Sequence, residues 1–189
     1  MSDDSILEAQ YREMKSIKVG VSRALFVLLP SSIFVTFQQA YIVQQIFGLD
    51  VLDYIFMFVI CSLISVITLI YVYGNFINQI GEEILKTRQG DLLELGGDQS
   101  RKRQKNQPEQ SNADAQANER KRQSIMSEIN YESTFFGLWF INLVYLASFV
   151  FFSFVVVRFW STGLNYYGST IGAAALTNWI ASTYLSTYY

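Results

Sequence analysis

Apolar residues run in four long blocks along the chain, and polar residues are pushed to the N-terminal end and into one interior segment. The blocks cover residues 24–47, 51–73, 135–160 and 166–187. Each has about twenty residues or more, the length an α-helix needs to cross roughly 30 Å of hydrocarbon. A water-soluble helix keeps one polar face, which interleaves the two kinds of residue. Segregation into blocks is what a lipid solvent selects. The pattern predicts an all-α, polytopic membrane protein with four transmembrane helices. Its parts are a cytosolic amphipathic N-terminal segment (1–23), a transmembrane hairpin (24–73), a cytosolic helical loop with a disordered tip (74–134) and a second transmembrane hairpin (135–189).

Local signals refine the four spans. Pro30 lies about a turn inside the first, where a kink is tolerated if neighbours satisfy the freed carbonyl. Only Gly48-Leu49-Asp50 separates it from the second, so the two form a tight hairpin, with Asp50 placed to cap the second helix and Asp53 in its first turn. The third is the most apolar, running through Phe149-Val150-Phe151-Phe152. The fourth is weaker, rich in Gly, Ala, Ser and Thr, and Gly168 and Gly172 form a small-xxx-small step suited to close helix approach. It is expected to be buried among the other spans. Trp160, Tyr166 and Tyr167 suit one membrane interface, and Tyr184, Tyr188 and Tyr189 the other.

Charge sets the orientation. Arg12, Lys15, Lys18, Arg23, Lys86, Arg88, Arg120, Lys121 and Arg122 stand on one side of the membrane, and Arg158 alone on the other. That bias places both termini and the long loop in the cytosol. The first 23 residues are polar with no cleavage pattern, so the first span is expected to act as the signal anchor. The net charge of -2 gives no overall pull toward nucleic acid or anionic lipid, so any electrostatic partner must be met by local clusters.

The outer segments are polar but patterned. Ser5 and Glu8 make a capping box ahead of Leu7, Tyr11, Met14 and Val21, which predicts a helix over 5–22 lying in the headgroup region and binding membrane lipid. Residues 74–95 continue the second span with an Ile77, Ile80, Ile84, Leu85 stripe and stop at Gly96-Gly97. Residues 98–112 have the composition of a disordered segment. Ser111 and Asp114 then begin a returning helix carrying Ile125, Met126 and Ile129, which pairs with the outgoing one as an antiparallel stalk. Two basic clusters lie here: Arg101, Lys102, Arg103 and Lys105, and Arg120, Lys121 and Arg122. If most of the chain between Tyr73 and Arg101 is helical, the first cluster stands roughly 40 Å from the bilayer. That is several screening lengths of about 8 Å, so headgroups hold it weakly and a large cytosolic polyanion such as RNA holds it better.

Catalytic chemistry is missing from the pattern. The chain has no His and a single Cys, Cys61, within an apolar run, which reads as a small buried hydrophobe. One Cys allows no intrachain disulfide and no multi-Cys metal site, so no cofactor is expected. No Ser or Cys has an activating base, and no ionisable residue lies in mid-membrane, which argues against an enzyme and against a pump. The interior polar residues are amides and hydroxyls, among them Gln38, Gln39, Gln44, Gln45, Ser65, Asn142 and Asn178. Interhelical hydrogen bonding is their ordinary role. The paired glutamines of the first span offer an alternative, a face toward a partner subunit. A polar cavity formed by Gln38, Gln39, Asn142 and Asn178 would instead indicate a small transporter.

The opening of the third span, Tyr131-Glu132-Ser133-Thr134-Phe135-Phe136, resembles the Tyr-Glu-Ala-Thr-Thr-Phe of the gamma subunit of the translocon-associated protein complex, also called signal sequence receptor gamma. Asn142-Leu143, Ala147-Ser148-Phe149 and Asn165-Tyr166 follow in similar order, as do Ala24-Leu25-Phe26 and the Gly48-Leu49-Asp50 turn near the start. The family's loop is richer in Lys than this one. The resemblance implies four spans, cytosolic termini and a non-enzymatic subunit of the endoplasmic reticulum membrane beside the Sec protein-conducting channel. Its expected partners are the other translocon-associated subunits, the Sec channel and the ribosome, through ribosomal RNA and protein. Arg101, Lys102, Arg103, Lys105, Arg120, Lys121 and Arg122 are the expected ribosome contacts. The competing reading is a tetraspan scaffold of the secretory pathway with no ribosome link.

Overall fold

The computed structural model describes residues 24–50, 52–88 and 110–187. The amphipathic segment over 5–22, the end of the outgoing loop helix at Gly96-Gly97 and the cluster Arg101, Lys102, Arg103 and Lys105 lie outside them. Four α-helices carry the described chain. Helix α1 is Leu29–Phe47, entered through a π-helical turn at Ala24–Leu28; α2 is Ile55–Thr87; α3 is Gln110–Phe151, ending in a second π-helical turn at Phe152–Val156; α4 is Thr162–Thr187. The described residues contain no β-strand. Three helical stretches, Phe26–Phe47, Ile55–Thr87 and Gln123–Val156, are long and apolar enough to cross a membrane.

The chain divides into two compact units, one made of residues 1–78 and 137–189, the other of residues 79–136. In the first, Val35, Val43, Leu69, Ile141, Phe149 and Ala173 are buried. Bulky apolar side chains also cover the outside: Phe34, Phe37, Leu63, Ile67, Trp139 and Leu143 are all more than half exposed. Water penalises that arrangement and hydrocarbon does not.

Helix ends depart from the apolar blocks where backbone hydrogen bonding overrides hydropathy. Pro30 has no N–H and cannot donate to the carbonyl four residues earlier. The chain opens with the π-helical turn and begins regular α-helix at Leu29, so Pro30 falls in the first α-helical turn, where a donor is not missed. The proline thus marks an irregular entry to the helix. Gly48 ends α1 in the left-handed conformation at φ 64°, which a side chain would disfavour. Asp50 does not cap α2 directly. Its carboxylate accepts from Leu52 N at 3.0 Å, and its carbonyl accepts from Tyr54 N at 3.3 Å. This side-chain turn delays the helix to Ile55. At the other hairpin, helix stops at Val156 although the apolar run continues to Trp160, and α4 begins at Thr162.

The second unit holds the end of α2 and the first part of α3. Ile80, Leu85 and Ile129 are buried there. A Cβ built on Gly81 lies 3.6 Å from Ser133 Oγ, an ordinary contact distance. The Arg88 guanidinium reaches Glu128 at 3.1 Å and both carboxylate oxygens of Glu132 at 2.8 and 3.0 Å. Outgoing and returning segments therefore lie side by side in opposite directions. Helix already covers Gln110, so the polar segment expected over 98–112 gives way to helix at its far end.

Candidate functional site

Inside the first unit, hydrogen bonds join all four helices at one place. Gln39 of α1 has no exposed surface. Its Nε2 donates to Thr170 Oγ1 of α4 at 2.6 Å. Its Oε1 accepts from Ser65 Oγ of α2 at 3.1 Å and from the Tyr145 hydroxyl of α3 at 3.2 Å. Ser65 and Tyr145 are themselves 2.7 Å apart. The hydroxyls keep a fallback within their own helices: Ser65 donates to the Cys61 carbonyl and Thr170 to the Tyr166 carbonyl, both at 2.8 Å. Such back-bonding is how hydroxyl side chains enter an apolar helix without stranding a polar atom.

A second cluster joins three helices. Asn142 Nδ2 of α3 donates to Ser31 Oγ of α1 at 3.1 Å, and the Tyr73 hydroxyl of α2 donates to Asn142 Oδ1. A third closes the α3–α4 hairpin. Asn165, buried in the first turn of α4, donates through Nδ2 to the carbonyls of Ser153 at 3.0 Å and Val157 at 3.1 Å. Its Oδ1 accepts from Ser169 Oγ at 3.1 Å. The carbonyls at a helix C-terminus lack intrahelical donors; the Asn165 amide serves Ser153 from the neighbouring helix and shares the Val157 carbonyl with Trp160 N at 3.0 Å. That is why α3 ends inside its apolar run.

Close packing accompanies these bonds. A Cβ on Gly172 would stand 2.6 Å from the Phe152 ring, and one on Gly168 2.9 Å from the Trp160 ring. The small-xxx-small step is used within the chain, against the end of α3. Tyr166, expected at an interface, is 1% exposed, its ring 5.0 Å from Phe58 and 6.2 Å from Phe149. Tyr184 packs against Phe76 and Phe140, with both centroids at 5.6 Å.

The four amides named for a transporter pathway do not converge. Gln39 and Asn142 belong to different clusters, Gln38 is half-buried, and Asn178 is exposed on α4. Gln44 and Gln45 are exposed near the end of α1. Among the described residues, no group of three His, Cys, Asp or Glu side chains could hold a metal ion. Sequence reasoning named Gln39, Ser65 and Asn142 as interior polar residues, but missed Tyr73, Tyr145, Asn165 and Thr170. The available signal was hydroxyls and amides four residues from small or aromatic positions, facing inward on successive helices.

In the second unit, Arg120 and Lys121 are exposed on α3, and Arg122 follows them on the same helix. In the same unit the partly exposed Arg88 is already engaged by Glu128 and Glu132, which leaves it a structural cation. Arg120 and Lys121 present their charges to solvent, the arrangement a polyanion requires.

A family model described as "Translocon-associated protein, gamma subunit (TRAP-gamma)" matches residues 4–183. No individual curated protein matches the sequence.

Proposed function

From the premise that the chain belongs to the translocon-associated protein gamma-subunit family, we propose that it is a four-span subunit of the endoplasmic reticulum membrane that helps hold the ribosome at the Sec channel. Family membership makes it a translocon-associated subunit, and the three long apolar helices fit a membrane protein. The finer reading has α4 as the fourth span, both termini and the loop in the cytosol, and the basic clusters as the ribosome contact. The observation that carries it is a cationic surface, Arg120 and Lys121, exposed on a helix that continues unbroken into a membrane-length apolar stretch. The cations supply attraction to ribosomal RNA, where each neutralised phosphate releases counterions. The hydrogen-bonded bundle supplies the anchor, and the other translocon-associated subunits and membrane lipid surround it.

The amides and hydroxyls of the three clusters bond to one another across the helices, which suits a scaffold.

Salt-stripped microsomes, or proteoliposomes carrying the full chain with its partner subunits, are sedimented with ribosomes over a salt series. Exchanging Arg101, Lys102, Arg103, Lys105, Arg120, Lys121 and Arg122 for Gln is expected to weaken binding and flatten its salt dependence. Unchanged binding and slope would remove the clusters from the docking role and leave a scaffold without a ribosome link.

A further inference from the structure

One helix carries an exposed amide near its middle. Bulky apolar side chains are exposed on every helix, as at Phe34, Leu63, Leu143 and, on α4, Ile171 and Trp179. On α4 the exposed positions Ala175, Asn178 and Ser182 form one face with Ile171, spaced four, three and four residues apart. The opposite face is small and polar as well, but Thr170, Ala173 and Thr177 are buried there against the rest of the bundle. Gly168 and Gly172 are likewise already occupied, by the Trp160 and Phe152 rings. Asn178 is a different matter, an exposed amide in a helix otherwise free of charge.

Its depth decides what that means. Asn178 stands sixteen residues after Thr162 and nine before Thr187. At 1.5 Å per residue these are about 24 and 14 Å along the axis. With a hydrocarbon core of about 30 Å centred on the helix, the amide lies roughly 10 Å inside the nearer boundary. Lipid tails offer it neither donor nor acceptor, whereas a neighbouring helix offers both. Ser182 extends the same edge by one turn, and Ala175 lets a second backbone come close.

We propose that the Ile171–Ala175–Asn178–Ser182 face of α4 is covered by a transmembrane helix of a different subunit of the complex, one that presents a small residue and a hydrogen-bonding side chain opposite Asn178. This rests on the reading of the chain as a complex subunit with α4 in the bilayer. A different subunit is favoured over a second copy because the family is defined as one designated subunit, gamma, of a translocon-associated protein. The exposed amides of α1, Gln44 and Gln45, lie within a turn of its end, where water or headgroups can meet them.

A photo-crosslinking amino acid is placed singly at Ala175, Asn178 or Ser182 of the full chain, with Leu63 and Leu143 as controls, in native microsomes. Adducts to another integral subunit from the α4 positions, and none from the controls, are expected. Adducts to a second copy, or lipid adducts alone at the level of the controls, overturn the proposal. Asn178→Leu, which suits lipid, is expected to reduce co-isolation of that subunit in mild detergent by roughly threefold or more, and Asn178→Gln to restore it. Equal co-isolation with Leu also overturns it. Co-isolation of the unaltered chain with translocon-associated subunits is measured in parallel. If it fails, the complex reading falls and this inference with it; if it holds while the α4 positions meet only lipid, the docking face alone is wrong.

Discussion

Replacing Gln39 by leucine removes the one amide that all four helices share. Leucine is similar in volume, so the change is chiefly the loss of three bonds, those to Thr170, Ser65 and Tyr145. None of the partners is stranded: Thr170 keeps the Tyr166 carbonyl, Ser65 keeps the Cys61 carbonyl, and Tyr145 keeps Ser65. Interhelical hydrogen bonds in a membrane interior average about 0.6 kcal/mol each, which gives ~2 kcal/mol for three. Had the partners been left without acceptors, each would add about 1–3 kcal/mol more. Gln39→Ala deletes the same bonds and opens a cavity in a fully buried place, and large-to-small core truncations cost about 2–5 kcal/mol. Leucine should therefore be mild and alanine severe. The assay is unfolding of the purified chain in micelles, followed by fluorescence of its three tryptophans. If leucine proved as damaging as alanine, the fallback bonds would not be operating. If neither variant moved the midpoint, Gln39 would not sit at the crossing of the helices.

Three further perturbations follow from the same geometry. Asn165→Leu removes the amide donor from the Ser153 and Val157 carbonyls; Val157 keeps Trp160 N, so about 1–3 kcal/mol is at stake at the Ser153 carbonyl, the unfolding midpoint should fall by about as much as for Gln39→Leu, and an unchanged midpoint would refute the capping role. Gly172→Val drives a branched side chain into the Phe152 ring, which a Cβ alone would approach to 2.6 Å; overpacking of this kind costs about 1–3 kcal/mol, and Phe152→Ala in the same chain should recover part of it. Arg88→Met breaks contacts with Glu128 and Glu132, all three side chains being partly exposed; screened pairs of this kind contribute about 0.5 kcal/mol each, so proteolysis of the 79–136 unit should quicken modestly at low salt and little at high salt.

The four helices, three of them long and apolar enough to cross a membrane, were legible because hydropathy over twenty residues is a coarse property, and the Gly48-Leu49-Asp50 turn because a left-handed glycine leaves a clear mark. The polar seam was only half legible. Position within the apolar blocks marked Gln39 and Asn142, along with Gln44, Gln45 and Asn178, as interior, but which face each takes and which hydroxyl meets which amide depend on the relative rotation of helices far apart in sequence. Tyr166 misled for a physical reason: an amphipathic ring suits a membrane interface, yet it is buried by ring packing; Tyr73 and Tyr145, not singled out by the sequence, spend their hydroxyls on interior amides. The end of α3 was hidden because composition reports apolarity, whereas the helix stops where Asn165 takes over its last carbonyls. Of the basic residues named for the ribosome, Arg120 and Lys121 are seen exposed, while the cluster from Arg101 to Lys105 lies outside the described residues.

The placement of the hydrophilic loop relative to the membrane carries the docking role. The chain contains no Asn-x-Ser/Thr sequence of its own, so an inserted acceptor cassette reports cleanly. Placed within residues 98–105 of the full chain and expressed in endoplasmic reticulum membranes, the cassette should stay unglycosylated and be removed by external protease. Placed between residues 157 and 161, beside Arg158, it should be glycosylated and protected. Sugar on the loop cassette, with the 157–161 cassette left bare, would put the basic clusters in the lumen, out of any ribosome's reach.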